Sequence, residues 1–87
     1  MIAFQNVYKI YNSHSTALED INLRINPGEF VSLVGRSGAG KSTIVKLLIG
    51  EEKPTRGRVL FGQYEVNKLR DNELPVLRRH IGIVFQD

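Results

Sequence analysis

The chain has no cysteine, no long hydrophobic run and little imbalance of charge across its 87 residues. Without cysteine there can be neither a disulfide-stapled scaffold nor a zinc site built on thiolates, a composition suited to a reducing compartment. The longest apolar stretches, residues 47–49 and 81–85, fall far short of the ~18 residues that a membrane-spanning helix needs. Residues 1–6 lack the charged and apolar regions of a signal peptide. No repeat, linker or low-complexity tract interrupts the chain. Lys and Arg number 12 against 9 Asp and Glu, so the net charge is only +3. The densest basic group, Lys53, Arg56 and Arg58, stands beside Glu51 and Glu52 and is not interleaved with aromatics. It reads as a solvated mixed face, and no nucleic-acid partner is expected. His14 and His80 have no second ligand at metal spacing, and no Ser-His-Asp order or carboxylate pair suggests a separate catalytic centre.

What is present is an alternation of apolar and polar residues typical of one soluble domain, with 41% hydrophobic and 24% charged residues. Residues 1–11 (Ile2, Phe4, then Val7 and Ile10) and 17–25 (Leu18, Ile21, Leu23, Ile25) predict two strands joined by the polar turn Asn12-Ser13-His14-Ser15. After Asn26-Pro27-Gly28, residues 30–34 form a short apolar run of the kind found in strands buried on both faces. Residues 41–49 predict a helix closed by Gly50. A strand at 59–61 follows. Asp71 or Asn72 can cap a helix running to His80, with Pro75 tolerated in its first turn and Arg78 and Arg79 at its negative end. Residues 81–85 predict a last buried strand. The fold class is α/β: antiparallel strands first, then strand–loop–helix, then helix and strand.

Between the apolar run and the helix lies Gly35-Arg36-Ser37-Gly38-Ala39-Gly40-Lys41-Ser42, which fits GxxxxGK[ST], the Walker A phosphate-binding loop. A chain of phosphates needs several backbone N–H groups turned inward, and glycine permits both the dihedrals and the close approach. The helix that follows adds free N–H groups and the positive end of its dipole. Lys41 can reach the β- and γ-phosphates, the Ser42 hydroxyl can ligate Mg²⁺, and Thr43 can offer its hydroxyl and N–H near the α-phosphate. Four fixed positions at ordinary residue frequencies would arise by chance in about three of 1,000 chains of this length. The cofactors expected are ATP and Mg²⁺. Guanine is not expected, because Asn67-Lys68-Leu69-Arg70 lacks the final Asp of the guanine-reading Asn-Lys-x-Asp.

With two strands ahead of its Walker loop, the chain resembles the nucleotide-binding domain of ABC ATPases. The resemblance implies a P-loop NTPase of the ABC type, with an N-terminal antiparallel β subdomain and the start of a parallel core sheet. Residues 1–87 would form the N-terminal part of a single ATP-binding domain. Tyr11 matches the family's adenine-stacking aromatic, with Tyr8 the weaker candidate, and Leu18, Asp20 and Pro27-Gly28-Glu29-Phe30 match its run into the Walker strand. Gln86 matches the Q-loop glutamine, implying contact with Mg²⁺ or the attacking water; Mg²⁺ would then be held by Ser42 and Gln86. The stretch from Glu73 to Asp87, with residues 50–57, is most similar to the bacterial cell-division branch of the family. That branch implies a homodimeric ATPase, peripheral on the cytoplasmic face of the membrane through an FtsX-like or other ABC transmembrane subunit.

Hydrolysis by this family also needs a strand ending in Asp-Glu, an LSGGQ signature and a switch histidine, and none is present in residues 1–87. No catalytic residue is therefore assigned within the chain, and by itself it is expected to be inactive and marginally stable. Two other readings remain open: the ATPase subunit of a lipoprotein, macrolide or peptide exporter, and a non-enzymatic phosphate- or nucleic-acid-binding module.

Overall fold

A computed structural model describes residues 1–26 and 39–85. Strand β1 (Ile2–Asn12) and strand β2 (Ser15–Ile25) form a hairpin. Helix α1 (Ala39–Leu48), strand β3 (Arg56–Phe61), the short strand β4 (Tyr64–Glu65), a 3₁₀ turn (Val66–Lys68) and helix α2 (Leu74–Phe85) complete the order. The sheet order is β2-β1-β3-β4, and every pairing among the described residues is antiparallel. The expected strand at residues 30–34 lies outside the described residues. The strand β4 and the 3₁₀ turn carry no sequence signal strong enough to have announced them.

The hairpin explains an irregularity in the sequence. Ile2 and Phe4 alternate inward as a strand requires, but the next buried residue is Val7, out of phase by one. Asn6 absorbs the slip in a left-handed conformation (φ 51°), and Asp20 does the same between Leu18 and Ile21 (φ 47°). Such a bulge restores the apolar residues to one face instead of flipping the remainder of the strand to solvent. The two bulges are tied together. The Asn6 side-chain amide donates to Asp20 Oδ1 at 3.1 Å, and the Asn6 backbone N–H donates to Asn22 Oδ1 at 2.9 Å. At the hairpin tip the His14 N–H donates to Asn12 Oδ1 at 2.8 Å, an Asx turn within the expected polar segment.

Helix α1 presents Ile44, Leu47 and Leu48 to the core at helical spacing and packs on β2, β3 and the 3₁₀ turn. It ends as the sequence implies, in a Schellman motif. Gly50, at φ +74°, donates to the Leu47 carbonyl at 3.3 Å, and the Glu51 N–H donates to the Lys46 carbonyl at 2.9 Å.

Residues 81–85 are the main departure. They continue helix α2 and do not form the expected strand. A five-residue apolar run fits either state, and the arbiter is the spacing of its neighbours. Leu74, Leu77 and Ile81 fall on one helical face and are buried, whereas Ile83 is 61% exposed. The helix satisfies its own N–H and C=O groups, while a buried strand would need hydrogen-bonded neighbours on its edges. Helix α2 therefore does not stop at His80, and Arg78 does not close it. The Arg78 Nε donates instead to the Ile49 carbonyl at 2.9 Å, placing a cation at the negative end of α1. At the start of α2, Pro75 does fall in the first turn. The boundary residue is Glu73, not Asp71 or Asn72: its carbonyl accepts the Leu77 N–H at 3.3 Å and its Oε1 accepts the Arg70 N–H at 2.8 Å.

Candidate functional site

The glycine-rich motif runs into the start of α1. Ala39, Gly40, Lys41 and Ser42 form its first turn, so the lysine and hydroxyl of the motif ride on a helix whose opening N–H groups have no partner within the helix. No acidic residue occupies that turn. A negative side chain there would compete with an incoming phosphate for the positive end of the dipole, so the turn suits an anion. Ser42 is exposed and Thr43 is buried, at 6% exposure, on the side of the helix that faces the core. An exposed hydroxyl beside the helix start matches the oxygen-donor chemistry of Mg²⁺ bound to phosphates. Gly35, Arg36, Ser37, Gly38 and Gln86 lie outside the described residues.

Tyr11 lies near the end of β1 and is 47% exposed. Its hydroxyl donates to Glu52 Oε2 at 3.1 Å, and the Lys9 ammonium stands 5.1 Å from its ring centroid. Glu52 follows the C-terminal end of α1, so the structure gathers Tyr11 at that end. The seven residues of α1 that follow the motif's lysine separate it from that end by about 10 Å of helix. Tyr8 is engaged differently, with the Arg56 guanidinium 4.9 Å from its ring centroid. His80 lies against Tyr64, ring centroids 6.1 Å apart.

No sequence signal points to Glu52 and Lys9, which contact Tyr11, or to Lys46, which pairs with Glu52. Lys9 Nζ is 3.5 Å from Glu52 Oε1 and Lys46 Nζ is 3.7 Å from Oε2. Tyr11 and Glu52 are 41 positions apart, and no local pattern links them.

The ABC transporter profile matches residues 18–87. The chain belongs to the ABC transporter family. It is 48% identical over 87 residues to the cell division ATP-binding protein FtsE of Bacillus subtilis (strain 168), covering 100% of this chain and 38% of that protein. It is equally 48% identical over 86 residues to the phosphonates import ATP-binding protein PhnC of Lactococcus lactis subsp. lactis (strain IL1403), covering 99% of this chain and 35% of the relative. Among solved structures it resembles the dimeric ATP-binding cassette MJ0796 in a post-hydrolysis state bound to ADP and Pi. That likeness has a TM-score of 0.69 at 33% identity and covers 91% of this chain and 35% of the cassette. The chain thus spans under two-fifths of the length of these ABC relatives. The fold class read from the sequence, an ABC-type α/β unit with an antiparallel β region, is borne out at this level.

Proposed function

We propose that this chain carries the phosphate- and adenine-binding half of an ATP site in an ABC-type ATPase, and that residues 1–87 are the N-terminal part of one ATP-binding domain. The observation that carries the reading is the passage of GxxxxGK[ST] directly into α1, with Lys41 and the exposed Ser42 on its acid-free first turn. In this reading the amides of Gly35, Arg36, Ser37, Gly38, Ala39 and Gly40 cradle the phosphates, Lys41 neutralises their charge, and Thr43 contributes its N–H. Ser42 and Gln86 would supply oxygen ligands to Mg²⁺, and Tyr11 would stack on adenine. Mg²⁺ would neutralise charge that builds on the phosphates during transfer to water. Lys41→Ala is expected to abolish Mg·ATP binding, measured with a fluorescent ATP analogue; unchanged affinity overturns the assignment.

The likeness to FtsE supports a role as the ATPase of a bacterial cell-division complex. The protein would work as a homodimer, held on the cytoplasmic face of the membrane by an FtsX-like transmembrane subunit. No helix among the described residues is long and apolar enough to cross a membrane. Co-purification with an FtsX-like membrane protein is the expected result; selective association with a transporter permease overturns this role. The equal likeness to PhnC favours a second reading, the ATPase subunit of a transporter, whether importer or exporter.

A further inference from the structure

Tyr11 is half exposed yet held on several sides, an unusual condition for a surface aromatic. Exposed side chains ordinarily keep their rotamer freedom, because fixing one costs entropy that little burial offsets. Here the phenol hydroxyl is anchored on Glu52 Oε2 at 3.1 Å, and the Lys9 ammonium stands over the ring at 5.1 Å from its centroid. Lys9 is itself immobilised, donating to the Lys53 carbonyl at 2.8 Å and pairing with Glu52 at 3.5 Å.

Glu52 is placed by backbone, not by chance contact of long side chains. The segment after α1 docks along β1. The Thr55 N–H donates to the Tyr8 carbonyl at 2.8 Å, and the Ile10 N–H donates to Thr55 Oγ1 at 2.9 Å. These bonds set residues 52–55 beside the end of β1, where Glu52 meets Tyr11. The Lys46 ammonium, on α1 itself, reaches the same Glu52 oxygen at 3.7 Å. One carboxylate therefore connects the aromatic ring to the helix whose first turn carries Lys41 and Ser42.

We propose that Glu52 is a positioning residue for nucleobase recognition, holding the Tyr11 ring in one orientation relative to α1 so that base and phosphates are met together. This rests on the reading of Tyr11 as the adenine-stacking residue. Lys9 covers part of the ring through a cation–π contact, and stacking would use the ring surface that remains exposed. The Lys9–Glu52 pair is half-buried, with side chains 15% and 24% exposed, so thermal melting is needed to separate an effect on binding from one on the fold.

The test measures binding of ATP and of inorganic tripolyphosphate, which has no base, to the protein with and without substitution, with thermal melting as the control for folding. Glu52→Ala is expected to weaken ATP binding about three- to ten-fold, the size of one ordinary hydrogen bond, with tripolyphosphate affinity unchanged. Tyr11→Phe, which removes the hydroxyl and keeps the ring, should give a similar loss, and the double variant no more than either alone. Glu52→Gln retains an acceptor for the hydroxyl and should restore most of the ATP affinity. Equal losses for both ligands, or losses that multiply in the double variant, overturn the proposal. If Tyr11→Ala shifts the ratio of the two affinities and Glu52→Ala does not, Glu52 has no positioning role although the stacking reading stands. If Tyr11→Ala leaves the ratio unchanged, the stacking reading fails and the proposal falls with it.

Discussion

Gly57 faces the backbone of Asn6 so closely that a Cβ at this glycine would overlap the Asn6 carbonyl. Gly57, the second residue of β3, has φ +91° and lies opposite the point where Asn6 turns left-handed and the β1–β3 register slips between Gln5 and Tyr8. The bulge that keeps Val7 in the core thus depends on a residue without a side chain in the neighbouring strand. Gly57→Ala combines a disfavoured φ with a clash against rigid backbone and should destabilise the protein by about 2–4 kcal/mol in denaturant titration. Gly82 provides the contrast. It lies within α2, and a Cβ there would meet nothing within 4 Å. Gly82→Ala should stabilise by about 0.5–1 kcal/mol, and a loss of stability would count against the helix over residues 81–85.

The core joins both helices to the sheet, and Leu77 shows how α2 is held. It is 1% exposed and lies in the same cluster as Phe4, Val59 and Leu47. Truncation removes buried methyls and leaves a cavity, so Leu77→Ala should cost about 2–5 kcal/mol. In a chain this small that is a large fraction of a total near 4–13 kcal/mol, roughly scaled by length. Val76, 44% exposed on the other side of the helix, should tolerate the same change with an effect of about 0.5 kcal/mol or less.

Acid should loosen the β3–β4 corner. Glu65 Oε1 accepts hydrogen bonds from Arg58 Nε at 3.1 Å and Nη2 at 3.0 Å, and Lys68 Nζ lies 3.6 Å from Oε2. Burial acts to raise the Glu65 pKa, but the Arg58 hydrogen bonds and charge, assisted by Lys68, outweigh it and hold the pKa below the ordinary 4.5. A carboxylate with a depressed pKa in the fold adds stability above its unfolded value and loses it as pH falls through the folded one. Glu65→Gln should therefore lower the Tm at pH 7, and the difference should close as the pH drops below 4.5. A constant difference across that range would show that the charge plays no part.

The candidate site is written in the sequence because its motif is local. Residues 35–42 match GxxxxGK[ST] through spacing alone, and Gly50 announces the end of α1 because a left-handed residue completes the Schellman bonds to Lys46 and Leu47. The two strands are legible in the sequence, whereas the bulges at Asn6 and Asp20 and the bond between them are not. Residues 81–85 differ from the strand that their sequence suggests because β-branched apolar residues at a helix end resemble a buried strand. Their state depends on whether Ile81 continues the stripe of Leu74 and Leu77, and in the structure it does.

The sequence by itself determined the family, the GxxxxGK[ST] motif, the hairpin and the first helix, because each is written in residues close together along the chain. Only the tertiary structure decided the conformation of residues 81–85, the partner of Arg78 and the surroundings of Tyr11. Those depend on segments tens of residues apart being brought together, as Thr55 docking on β1 brings Glu52 to Tyr11. A contact of that kind is set by burial and backbone pairing across the whole fold, for which no local pattern of residues is a substitute.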